Sequence, residues 1–114
     1  MAAVTIFKNK DKMMKPRPLG ITKEILETTG FNITHTYDDL VFIEHNPFLI
    51  QFDDENPSSL KILFNVECAA DAAQEIENKL NNIATQRDFT IVNSGRYELK
   101  QKEGTEEIEI KFFA

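Results

Sequence analysis

Between Leu40 and Phe112 apolar side chains recur at every second position in one stretch after another, and that rhythm restricts the fold more than any other feature of the chain. A strand turns successive side chains to opposite faces, so a period of two sorts residues onto the two sides of a sheet. One side collects Leu40 and Phe42, then Phe48, Ile50 and Phe52, then Leu60, Ile62, Phe64 and Val66, and finally Tyr97, Leu99, Ile108, Ile110 and Phe112. That side is apolar nearly throughout and is the expected core, since fully burying one such side chain stabilises by about 1.5–3 kcal/mol. The other side reads Val41, Ile43, Leu49, Gln51, Lys61, Leu63 and Asn65, followed by the charged set Arg96, Glu98, Lys100, Glu107, Glu109 and Lys111.

The breaks in the rhythm give the order of elements. Residues 2–8 are rich in β-branched and aromatic side chains and suit a short edge strand, after which Pro16 and Pro18 forbid a central strand. Ile21, Ile25 and Leu26 have helical spacing over 19–29, with Thr22 as a candidate N-cap and Gly30 where a left-handed residue ends a helix. Strands are expected at 33–44, interrupted near Asp38-Asp39, at 48–52 and at 60–66, separated by Asn46-Pro47 and by the turn formers of 53–58. Connections this short make the three an antiparallel meander. Residues 69–86 form the clearest helix: Ala72, Ile76, Leu80 and Ile83 make one apolar stripe, and Asp71 suits the start of the helix dipole. The spacing then predicts strands at 89–93 and 96–102, split by Ser94-Gly95, and a final strand at 106–113 after a tight loop at 103–105. The expected fold is α+β: a single, mostly antiparallel sheet of about five to six strands with two helices on one face.

A length of 114 residues suits one domain, here a basic arm over 1–18 followed by an α+β domain over 19–114. The arm holds five basic residues and one acidic, whereas the remainder holds eight basic and 18 acidic. An acidic body argues against binding a phosphate backbone, which needs clustered Lys and Arg, so a nucleic-acid partner is not expected. No apolar run exceeds four residues, far short of the roughly 20 needed to span a bilayer. The single cysteine, Cys68, has no partner for an internal disulfide, and residues 1–10 make a poor signal peptide, so the cytoplasm is the expected location.

Residues able to do chemistry are scattered. Four glycines, far apart, form no phosphate loop, and Ser58, Ser59 and Ser94 all occupy turn contexts. His35 and His45 lie ten residues apart with Asp38, Asp39 and Glu44 near them, a spacing that matches no compact metal motif. Asp53-Asp54-Glu55-Asn56 lacks the order of a calcium loop and reads as a solvated acidic turn. Cys68 sits at the start of the long helix, where a thiol can become nucleophilic, but Glu67 and Asp71 oppose thiolate formation and a small packed residue is the expectation. No catalytic residue, metal ligand or cofactor is assigned.

The element order over about residues 19–113, a helix, a three-stranded meander, a second helix and a closing hairpin, resembles that of the bacterial type III secretion chaperones. The resemblance is one of order alone, without a residue motif, and those chaperones usually carry a further helix after the last strand. Element order does not give function.

The expectation for function therefore rests on the outer face. Val41, Ile43, Leu49 and Leu63 gather there as an apolar patch on a sheet otherwise polar on that side, and such patches mark association surfaces. They are the candidate partner-binding residues of a non-enzymatic protein-interaction or self-association module, with a protein partner or a homodimer as occupant. The N-terminal Val4, Ile6 and Phe7 could cover the patch instead. The alternative is a small-ligand-binding or metal-dependent enzyme with a pocket between the helices and the sheet.

Overall fold

Pro18 decides where the first helix begins. In the computed structural model, which describes residues 2–6, 17–101, 104 and 107–113, helix α1 runs Leu19–Thr28 with Pro18 as its N-cap residue. Proline suits a helix start because its missing N–H would be unsatisfied there anyway. Thr22 is not the cap: it lies inside the helix, 0% exposed, and its Oγ1 donates to the Pro18 carbonyl at 2.7 Å. The helix ends as expected, with Gly30 at φ 95°, a left-handed conformation that glycine adopts without steric cost. Helix α2, Ala70–Gln86, buries Ala73, Leu80 and Ala84, with Ile76 and Ile83 packed alongside. Ala72, which the periodicity placed in the stripe, is exposed, because the buried face is rotated by one residue at its N-terminal end.

Seven strands are seen among the described residues: β1 Ala2–Ile6, β2 Ile33–Tyr37, β3 Leu40–Ile43, β4 Phe48–Phe52, β5 Ser59–Asn65, β6 Thr90–Gln101 and β7 Ile108–Phe113. They form one sheet in the order β1-β7-β6-β5-β4-β3-β2. The meander β2 to β5 is antiparallel throughout. The one parallel pair among the described strands, β5 with β6, is joined through α2, a connection long enough for a crossover. β6 and β7 pair antiparallel, and β1 closes the order beside β7. The expected loop at 103–105 lies outside the described residues except for Gly104, a turn residue at φ 79°.

Ser94-Gly95 does not end a strand. β6 runs through it, and the register with β5 slips there: Ile62 lies beside Asn93 and Phe64 beside Arg96, so three steps on β6 match two on β5. Gly95, at φ 116°, supplies the backbone conformation this bulge needs, and its N–H donates to Asn93 Oδ1 at 2.9 Å. One extra residue reverses the alternation, so side chains on opposite sides of the bulge that would have shared a face are separated.

That reversal, together with the phase of β3, overturns part of the expected division into faces. The helices cover a cluster containing Val41, Ile43, Phe48, Ile50, Phe52, Leu60, Ile62, Phe64 and Ile91. The opposite face holds a second buried cluster of Leu40, Phe42, Leu49, Leu63, Tyr97 and Ile110, with Tyr37, Leu99 and Phe112 packed against it. Leu40 and Phe42 therefore face away from the helices, and so do Tyr97, Leu99, Ile110 and Phe112. Val41 and Ile43 face toward them. The sheet has an apolar interior on both sides, and every residue of β3 is buried. Of the residues named as cover for the outer face, Val4 and Ile6 belong to β1, and Phe7 lies outside the described residues.

Candidate binding cleft

Each end of the central strands is latched by a polar network. At one end Arg17, its side chain 15% exposed, donates from Nε and Nη2 to the two carboxylate oxygens of Asp54 at 3.0 and 2.8 Å and from Nη1 to the Asp38 carbonyl at 3.0 Å. The guanidinium pKa is raised, chiefly by the hydrogen bond to Asp54. At the other end His45 and Asn46, both with positive φ, form the tight β3–β4 turn. The Asn46 carbonyl accepts from Asn65 Nδ2 at 3.0 Å and from Tyr97 Oη at 3.1 Å. Tyr97 is 0% exposed, and burial pushes its phenol up to about 12.

Beside this second latch the edge of α2 and the bulge of β6 leave a cleft of about 360 Å³, lined by Phe64, Ala70, Ala73, Gln74, Glu77, Asn93, Gly95, Arg96 and Phe113. The bulge shapes it. Asn93 Nδ2 donates to Glu77 Oε1 at 3.0 Å, tying β6 to α2. Three residues on, Arg96 Nη1 donates to the carbonyls of Asn65 and Cys68, both at 3.2 Å, which fixes the half-buried guanidinium against the β5–α2 connection. Phe64, 2% exposed, forms an apolar floor. A second hollow of about 230 Å³ is lined by His45, Asn46, Pro47, Asn65, Glu67 and Cys68.

Comparison with known proteins finds no matching family, no similar curated protein and no similar solved structure. The four candidate partner-binding residues do not form a surface: Val41, Ile43, Leu49 and Leu63 are 0%, 1%, 0% and 3% exposed. They are also split between the two interiors, Val41 and Ile43 beneath the helices and Leu49 and Leu63 in the opposite cluster.

The candidate chemical groups are dispersed as well. His35 stacks on Phe42 with ring centroids 4.5 Å apart, while the His45 imidazole is 88% exposed and lies 3.9 Å from Glu44. In the acidic turn Asp53 Oδ1 accepts from the Glu55 N–H at 3.1 Å, and Asp54 is held by Arg17. Among the described residues no three His, Cys, Asp or Glu side chains converge as metal ligands would. No helix of the described residues is long and apolar enough to cross a membrane. The cleft escaped the sequence reading because Asn93 and Arg96 share a face only through the bulge. Ser94-Gly95 reads as a turn in the sequence; a glycine within a continuous strand is the signal that would have disclosed the bulge.

Proposed function

We propose that the chain is a non-enzymatic protein-interaction module, and that the cleft between α2 and the β6 bulge receives a segment of its partner. The observation that carries this reading is the composition of the cleft: an apolar floor, Phe64 with Ala73, under a rim of hydrogen-bonding groups, Gln74, Glu77, Asn93 and Arg96. Binding sites combine apolar walls with a few placed polar groups in this way. The large apolar side chains of β3, β4 and β5 are closed off in the two interiors, which argues against the sheet faces as the contact surface. The second hollow is lined by Cys68, His45 and Glu67, but among the described residues no hydrogen bond joins the thiol to the imidazole, so a nucleophile held by its base gains no support there.

The test is selection of peptides from a displayed library on the immobilised domain, followed by binding to Gln74→Trp, an exposed position whose enlargement fills the cleft. Selected peptides should lose most of their affinity for that variant and keep it for Lys23→Trp on α1. Binding indifferent to Gln74→Trp would move the contact elsewhere. Concentration-dependent light scattering covers the self-association form of the proposal: a dimer that Gln74→Trp dissociates would make the partner a second copy.

A further inference from the structure

We infer that the cleft takes a peptide segment bearing a single carboxylate next to an apolar residue, with Arg96 as the anchor of the carboxylate; this rests on the reading that the cleft receives a partner. The β6–β7 ladder supplies the argument. On the face that α2 shares, Glu98 lies directly opposite Lys111, and Lys100 opposite Glu109. Opposite charges so placed are cross-strand neighbours of favourable sign, although neither pair closes into a salt bridge. Arg96 differs in having no acidic neighbour in register: its partners are Phe113 on one side and Phe64 on the other. Among the described residues no carboxylate forms an ion pair with it. Two backbone carbonyls hold one end of its guanidinium, and they bring no countercharge.

A half-buried arginine, pre-oriented and flanked by two aromatic rings, suits a planar carboxylate that it can hold in a bidentate fork. Phe64 and Phe113 then favour an apolar side chain beside that carboxylate. Glu77 lines the same cleft and disfavours a second negative charge. The net charge of −6 works against anions generally, so recognition here is local and a multiply charged ligand such as phosphate is a poor fit.

Backbone amide NMR titration tests this with four probes: N-acetyl-Ala-Phe as the free acid, its C-terminal amide, N-acetyl-Phe-Glu-amide and inorganic phosphate. The free acid should move the Gln74, Asn93, Gly95 and Arg96 resonances saturably, with the neutral amide and phosphate weaker by about tenfold or more. The Glu peptide decides whether a side-chain carboxylate serves as well as a terminal one. Arg96→Gln should reduce the free acid to the level of its amide, Arg96→Lys should fall between, and Glu77→Gln should tighten the acid. The dispersion of the same spectra reports whether each variant is folded. Equal binding of acid and amide, or unchanged acid binding in a folded Arg96→Gln, overturns the assignment. If none of the probes moves these resonances while library-selected peptides do, the carboxylate assignment falls and the cleft as a partner site stands.

Discussion

Leu49 and Leu63 lie directly opposite each other on β4 and β5, in the cluster on the side of the sheet away from the helices. If that side is interior, Leu49→Ala removes a side chain that is 0% exposed and leaves a cavity, at a cost of about 2–5 kcal/mol. Unfolding entropy near the midpoint is about 2.1 cal/mol/K per residue, so a chain of 114 residues has roughly 0.24 kcal/mol/K. A loss of about 3 kcal/mol then lowers Tm by about 12 °C. Native stabilities are only about 5–15 kcal/mol, so the effect removes a large share of the total. Thermal unfolding followed by circular dichroism measures it. Leu63→Ala should match it, and the double variant should fall short of additivity because the two side chains share one neighbourhood. Lys61→Ala, on the same strand as Leu63 but half-exposed, should stay within about 0.5 kcal/mol. A Tm drop below about 3 °C for both leucines, or a Leu49→Lys variant that keeps its cooperative transition, would show that this side of the sheet is a surface and refute the two-sided interior.

Tyr97 should make stability depend on pH at the alkaline end. Its phenol titrates at about 12 when folded, against 10.0 when unfolded, so the contribution is complete below pH 10 and disappears between about 10 and about 12; at most it is worth about 2–3 kcal/mol. Tyrosinate absorbance of a Tyr37→Phe variant, which leaves Tyr97 as the only tyrosine, should show this late ionisation, and titration near 10 would contradict it. Arg17→Ala should cost about 1 kcal/mol by loss of the bidentate pair with Asp54, and high salt should narrow the gap to the parent in denaturant unfolding. Gly30→Ala meets no atom within 4 Å, so any destabilisation, expected at about 1 kcal/mol, comes from φ 95° alone, and an unchanged Tm would refute that conformation.

The sequence disclosed the elements better than it disclosed their phase. Both helices, the meander and the final hairpin were legible because alternation, turn residues and one helical stripe mark them independently. The face assignment failed at two places. Leu40-Val41-Phe42-Ile43 is apolar at every position, and a strand buried on both sides carries no alternation from which to read its phase. Ser94-Gly95 has the composition of a turn and serves as a bulge, which shifted everything after it by one residue. The patch of Val41, Ile43, Leu49 and Leu63 came from the first of these. The cleft was hidden by the second, because Asn93, Arg96 and Glu77 meet only after the extra residue has been inserted.

The strands farthest apart in sequence, β1 and β7, are neighbours in the sheet. β1 pairs with β7 from Ala2 opposite Phe112 to Ile6 opposite Ile108, a closure spanning more than a hundred residues. On a ribosome, β1 emerges about a hundred residues ahead of the strand it pairs with. A nascent chain stalled before residue 108 would carry β1 without a partner and β6 with an open edge, the kind of surface on which two unfinished chains can zip together. The strand order therefore ties the safety of this fold during synthesis to the speed at which the β6–β7 hairpin arrives.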